Sequence, residues 1–92
     1  MMTRMLRLNA SAQFKRDRQL CKKRGYDMSL LNRIVDSLLI PTKLPDFNRD
    51  HGLSGNWNGF RECHILPDWL LIYRVDRDEL FLARTGTHSD LF

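Results

Sequence analysis

The stretch from Gly59 to Arg74, GFRECHILPDWLLIYR, constrains the fold of this chain more than any other. Residues of alternating character from Phe60 to Ile65 run through Leu66-Pro67-Asp68 into the unbroken apolar run Trp69-Leu70-Leu71-Ile72-Tyr73. Two β-patterned segments joined by a proline turn predict a hairpin. Strand side chains alternate between faces, so Phe60, Glu62 and His64 share one side while Arg61, Cys63 and Ile65 share the other. Glu62 and His64 therefore point the same way. Asp68 and Trp69 follow the turn proline, which places a carboxylate and an indole at the hairpin end nearest His64.

The length of 92 residues predicts one domain, 1–92. So short a chain buries only about three fifths to two thirds of the surface its unfolded form exposes, enough for one sheet with a helical layer. A content of 42% hydrophobic and 28% charged residues is that of a globular protein. No apolar run approaches the roughly 18 residues of a transmembrane helix, and Met1 to Ala10 lacks the apolar core of a signal peptide. A cytoplasmic protein with no membrane partner is expected. Cys21 and Cys63 have neither the number nor the spacing of a disulfide framework or zinc clip and read as reduced core residues. The formal charge of +4 favours a polyanionic partner such as RNA, DNA or an acidic protein; keeping a small protein soluble is the plainer use of the same charge.

Arg4 to Leu8 is a short candidate strand, and Asn9 or Ser11 can cap the helix after it. Ala10, Phe14 and Cys21 fall on one face of that helix, with Lys15, Arg16, Lys22 and Lys23 opposite. The basic face suits phosphate contact and equally suits simple solvation. Gly25 ends this helix, and Asp27 or Ser29 opens a second whose apolar positions are Leu31, Ile34, Val35, Leu38 and Leu39, stopped by Pro41. Two helices joined by so short a turn pair antiparallel and need a sheet to cover. From Thr42 to Asn58 the periodicity disappears into a loop holding His51, which taken alone reads as a surface histidine. Glu79 to Thr85 is a third strand of the meander, with Leu80, Leu82 and Arg84 assigned to one face. Thr87-x-x-Asp90 is a capping-box pattern that opens a helical turn at His88. The expected fold is α+β, of order β-α-α-β-β-β with a short C-terminal turn: two N-terminal helices on one face of a small, mainly antiparallel sheet, and active residues on the face or rim away from them.

The string Asp50-His51-x-Leu53-x-Gly55-x-Trp57-x-Gly59-x-Arg61-x-x-His64-x-x-Pro67-Asp68-Trp69-x-Leu71-Ile72-Tyr73, followed by Arg84-Thr85-Gly86-Thr87-His88-x-x-Leu91-Phe92, resembles the YafQ branch of the RelE family of bacterial toxins. The resemblance is dense in the C-terminal half and holds for the helices by pattern only. It implies a RelE-like fold and a ribosome-dependent mRNA endonuclease that is held inactive by a cognate antitoxin. The implied partners are that antitoxin, the 70S ribosome with its mRNA, and operator DNA only through the antitoxin. Functional positions carried over are His51, Glu62, His64, Asp68, Trp69, Arg84, His88 and Phe92. The chain departs from the pattern at Glu62, where the branch has an aspartate, and the longer reach puts direct proton transfer by Glu62 in doubt; it is assigned to substrate binding.

Cleaving RNA without a metal requires a base for the 2′-hydroxyl, an acid for the 5′-oxygen and positive charge against the phosphate, and histidine suits both proton-transfer roles. We assign Asp68 with His51 or His64 to the base side, His88 to the acid side and Arg84 to electrostatic stabilisation. Trp69 and Phe92 offer aromatic faces to unstacked bases. No cofactor is expected. Metal ligation by His51, His64, His88 and Asp68 lacks HxxxH or paired-cysteine spacing. A non-catalytic gyrase poison on the same scaffold would not need the histidines, and a pure nucleic-acid-binding module is the remaining rival.

Overall fold

The computed structural model describes residues 5–40 and 43–92. Strand β1 (Arg7–Ala10) leads into helices α1 (Ala12–Lys23) and α2 (Met28–Leu39); β2 (His51–Gly52), β3 (Arg61–Leu66), β4 (Trp69–Asp76) and β5 (Glu79–Gly86) follow, and α3 (His88–Leu91) closes the chain. The expected α+β order is observed with one addition, the two-residue β2. It lies inside the segment expected to be a plain loop, between 3-10 turns at Asp46–Asn48 and Gly55–Trp57. β1 begins later than expected, at Arg7; Arg4 and the helix stop at Pro41 lie outside the described residues. Ile40 is nevertheless already extended, as the residue before a proline prefers.

Of the alternative caps, Ser11 and Asp27 are the ones used. Ser11 Oγ accepts from the Phe14 N–H at 2.9 Å and donates to the Ala83 carbonyl at 2.7 Å, so one hydroxyl caps α1 and fastens it to β5. Asp27 accepts from the Ser29 N–H at 3.1 Å. Gly25 follows α1 at φ +82°, a left-handed position that costs glycine little.

The strands form one sheet in the order β1-β5-β4-β3-β2, with β1 parallel to β5 and the other pairs antiparallel. Both helices cover one face, where Phe14, Leu31 and Leu38 pack with Cys63, Leu71, Tyr73 and Leu80. The opposite face carries a smaller cluster: Leu70, Ile72 and Ala83 lie under Leu91 of α3 and the Leu53–Phe60 segment. β4 is therefore buried on both sides from Trp69 to Tyr73, the physical reason its sequence is continuously apolar.

Two irregularities set the site. Between His64 and Leu66 the β3–β4 register shifts, and between Ile72 and Tyr73 the β4–β5 register shifts, leaving Ala83 unopposed. The second bulge pairs Arg84 with Ile72, so Arg84 does not continue the face of Leu80 and Leu82 to which alternation assigns it.

Candidate active site

Register brings the polar residues together. His51 pairs with Glu62, Glu62 with Ile72 and Ile72 with Arg84 on one rung across the sheet; His64, Leu70 and Gly86 form the next. Because Gly86 ends β5 beside Leu70, the chain turns at Thr87 and delivers His88 to His64, with ring centroids 5.7 Å apart at 60°.

Glu62 is the centre of one half of the cluster. Its carboxylate is buried, and the same oxygen, Oε1, lies 3.4 Å from His64 Nε2 and 3.8 Å from His51 Nε2. Both rings are held through Nδ1 by main-chain carbonyls, His51 by Arg49 at 2.8 Å and His64 by Pro67 at 3.2 Å. A carbonyl only accepts, so Nδ1 of each ring is the donor and Nε2 is turned toward the carboxylate. The sequence assigns Glu62 to substrate binding; in the structure its side chain is only 7% exposed and its carboxylate faces the two histidines.

Asp68 and His88 form the other half. Asp68 Oδ1 accepts from His88 Nδ1 at 2.8 Å and from the His88 backbone N–H at 3.0 Å. The backbone donor first, then the ring, holds the Asp68 carboxyl below the usual carboxylate range. This corrects the pairing drawn from sequence, which joins Asp68 to His51 or His64. The tight turn after β5 puts the first residue of α3 over the Pro67-Asp68 turn, and the carboxylate goes to His88 instead.

α3 is well anchored for so short an element. Thr87 and Asp90 complete the expected capping box, Leu91 is buried, and Arg24 at the end of α1 grips both Asp90 oxygens at 2.6 and 3.1 Å. A Cβ at position 86 would lie 2.9 Å from Asp90 Oδ2, which is why the strand ends in glycine. Phe92 follows with its side chain largely exposed.

Two of the expected site residues are engaged elsewhere. Trp69 is 2% exposed in the helix-side core, its ring 4.9 Å from that of Tyr26 and its Nε1–H donating to Thr85 Oγ1 at 2.9 Å. It cannot present a face to a base, because it shares its strand face with Leu71 and Tyr73. Arg84 donates from Nε and Nη2 to the two oxygens of buried Asp17 on α1, both at 2.9 Å. Burial pushes the Asp17 carboxyl up, but hydrogen bonds from Arg84, Gln13 and the Thr85 N–H outweigh this and hold it below the ordinary range. Among the described residues no contact links Arg84 to the histidines.

Sequence reasoning missed Asp17, Asn48 and Asp50. Asp17 lies three residues after Phe14 and four before Cys21, on the core face of α1, and that spacing is a signal for it. Asn48 and Asp50 are read only from the structure: Asn48 donates to the His64 carbonyl at 2.8 Å, and Asp50 Oδ1 accepts from Tyr73 OH at 2.7 Å and Arg61 Nε at 3.1 Å. Together they pin the loop that carries His51. Cys63, close to the cluster in sequence, faces the helices, where burial pushes its thiol up to about 12 and leaves it inert.

A helix-backed mixed sheet whose other face holds carboxylate-supported histidines is a RelE-like scaffold equipped for proton transfer. Residues 6–92 match the family described as "Bacterial toxin of type II toxin-antitoxin system, YafQ". The chain is 42% identical over 83 residues to the mRNA interferase toxin YafQ of Escherichia coli strain K12, which spans 89% of this chain and 90% of that protein. The structure of the E. coli DinJ-YafQ toxin-antitoxin complex matches with a TM-score of 0.89 at 38% identity, over 96% of this chain and 98% of that one. A copper-bound mutant toxin from Helicobacter pylori matches with a TM-score of 0.91 at 44% identity, over 96% of this chain and 100% of that one. The chain belongs to the YafQ family of toxins of type II toxin-antitoxin systems.

Proposed function

We propose that this toxin cleaves mRNA in the ribosomal A site, using its own side chains for acid and base, and that a cognate antitoxin holds it inactive. Family membership and identity to an mRNA interferase support RNA cleavage as the reaction. The observation that carries the mechanism is the approach of His64 and His88 to 5.7 Å on separate carboxylate supports. His64 takes the proton of the 2′-hydroxyl on Nε2 as that oxygen bonds to phosphorus, and the Glu62 carboxylate, 3.4 Å away, stabilises the imidazolium that forms. His88, held by Asp68, gives its proton to the departing 5′-oxygen as the P–O bond breaks. The products are a 2′,3′-cyclic phosphate and a 5′-hydroxyl. Each proton transfer is typically worth about 10²- to 10⁴-fold. Arg84 offers Nη1 to a phosphate oxygen while Asp17 fixes its other nitrogens, and exposed Phe92 stacks on a base.

So open a site does not by itself hold RNA in line for attack, and the ribosome supplies that positioning. Scission of a message on translating 70S ribosomes, with a chelator selective for transition metals present, is expected to give cyclic-phosphate and 5′-hydroxyl ends at a rate far above that on free RNA. Equal rates on free and ribosome-bound transcripts would overturn the ribosome dependence, and loss of activity to the chelator would overturn the metal-independent mechanism. Operator DNA is reached only through the antitoxin.

A second reading concerns metal. Glu62, His64 and His88 each offer a ligand atom, all within 4.8 Å of one another, and one carboxylate with two imidazoles suits copper or zinc. Such an ion would engage the groups that the proton transfers use, so loading is inhibitory. Added Cu²⁺ is expected to suppress cleavage and the same chelator to restore it.

A further inference from the structure

We infer that the 3-10 turn Asp46–Asn48 and the residue after it form a nucleotide subsite beside His64, with Phe47 as the stacking face and Arg49 as the phosphate contact. The inference rests on the RNA-cleaving function proposed above and names where one nucleotide of the substrate sits.

A groove of about 490 Å³ opens between this turn and the β3–β4 hairpin, walled by Phe47, Arg49, Leu66 and Pro67 and reaching His64. Its size falls in the range of small-ligand sites. Phe47 is 79% exposed, the most exposed of the large hydrophobic residues described, and Leu66 across the groove is 48% exposed. An aromatic ring left so open on a mobile loop would mean little. Here the mount is rigid: the adjacent Asn48 is buried, and its amide donates to the carbonyl of His64 itself at 2.8 Å.

Arg49 supplies the charge. It is exposed, and among the described residues no carboxylate lies within ion-pair distance of it. Its backbone is left-handed, φ 48° and ψ 46°, a conformation that costs a non-glycine residue energy and that clusters at functional sites. The strain has an identifiable use. It turns the Arg49 carbonyl onto His51 Nδ1 at 2.8 Å while the side chain lines the groove. One residue thus couples the groove to the histidine cluster.

An aromatic face and an unpaired cation flanking a groove fit a base and its phosphate. The groove includes His64 but not His88. With His64 as the base, the nucleoside beside it is the one whose 2′-hydroxyl attacks, on the 5′ side of the cleaved bond.

The test uses 70S ribosomes programmed with an mRNA carrying 2-aminopurine at that nucleotide, its 2′-hydroxyl methylated to block cleavage. Wild-type protein is expected to quench the fluorescence by stacking; Phe47→Ala abolishes the quench and Phe47→Trp retains it. On the unblocked message Phe47→Ala raises KM roughly 5- to 100-fold with kcat little changed. Arg49→Gly keeps the left-handed backbone without strain, so it should unfold no lower in temperature than wild type while losing about one unit of salt dependence in binding. A quench that survives in Phe47→Ala, or one seen only with the probe 3′ of the cleaved bond, overturns the subsite. Weakened antitoxin capture with an unchanged quench overturns it too, by making Phe47 a protein contact. Failure of the wild type to cleave any message would instead overturn the proposed function, and this subsite with it.

Discussion

Tryptophan and histidine at this site separate cleanly into packing and chemistry. Trp69 shares a strand face with Leu71 and Tyr73, and it donates its one indole N–H to Thr85, whose hydroxyl donates in turn to the Leu70 carbonyl at 2.7 Å. Trp69→Phe removes that buried link, leaves Thr85 short of a partner and should cost about 1–3 kcal/mol in urea denaturation, with kcat and KM unchanged. A raised KM would return Trp69 to substrate binding. His88→Gln is expected to do the reverse. Exposed at the head of α3, it should keep the fold and ribosome binding while cleavage falls by about 10²- to 10⁴-fold, as for a lost general acid. Circular dichroism, ribosome co-sedimentation and a toxicity assay check the three properties separately. Full cleavage by His88→Gln would pass the acid role to His51 or His64. The burial of Trp69 is decided by the irregularity in the hairpin: Trp69 pairs with Leu66, which plain alternation would put on the side of Glu62 and His64, and the register shift between His64 and Leu66 turns the indole to the side of Cys63 and Leu71 instead. Only the family motif assigns it to the substrate.

At the scale of elements, α3 is four residues long and would fray if left to its own hydrogen bonds. Its stability is borrowed from the capping box and from Arg24, and the ionised Asp90 serves both. Arg24, then the Thr87 N–H, holds the Asp90 carboxyl far below its ordinary 3.8. A depressed native value means that Asp90 contributes stability fully above 3.8 and loses it as pH falls below that, through the native value. Asp90→Asn should therefore melt below wild type at neutral pH, and the two melting curves should converge in acid. A constant gap across that range would show that the charge contributes nothing. Because α3 carries His88, the same variant should cleave more slowly at neutral pH. The capping pattern is visible as Thr87-x-x-Asp90; the grip from Arg24, 66 residues away in sequence, is not.

Across the whole molecule, Asp17 joins the helical layer to the sheet that bears the site. Four donors converge on it: the Gln13 amide, Nε and Nη2 of Arg84, and the Thr85 N–H. Asp17→Asn leaves the half-buried Arg84 charge uncompensated and should destabilise the fold by about 2–4 kcal/mol in urea denaturation at neutral pH. Since the Asp17 carboxyl also sits below its ordinary range, that penalty should shrink as pH falls below 3.8. If unfolding is unaffected, the pair is not what couples the layers.

Local pattern by itself determined both helices, the three long strands, the glycine break after α1, the proline turn between β3 and β4, and the side of the hairpin that bears Glu62 and His64. Each of these depends on period, caps or turn residues within a few positions. Tertiary structure decided the rest. β2 is two residues that form a strand only because β3 offers an edge; Arg84 changes face because a bulge at Ala83 adds one residue to the ladder. The partners of the histidines were settled in the same way: Asp68 serves His88 rather than His51 or His64 because the end of β5 folds back over the hairpin turn. Side-chain pairing across elements follows register and strand order, and those are set by the sum of packing on both sheet faces, which no short stretch of this sequence contains.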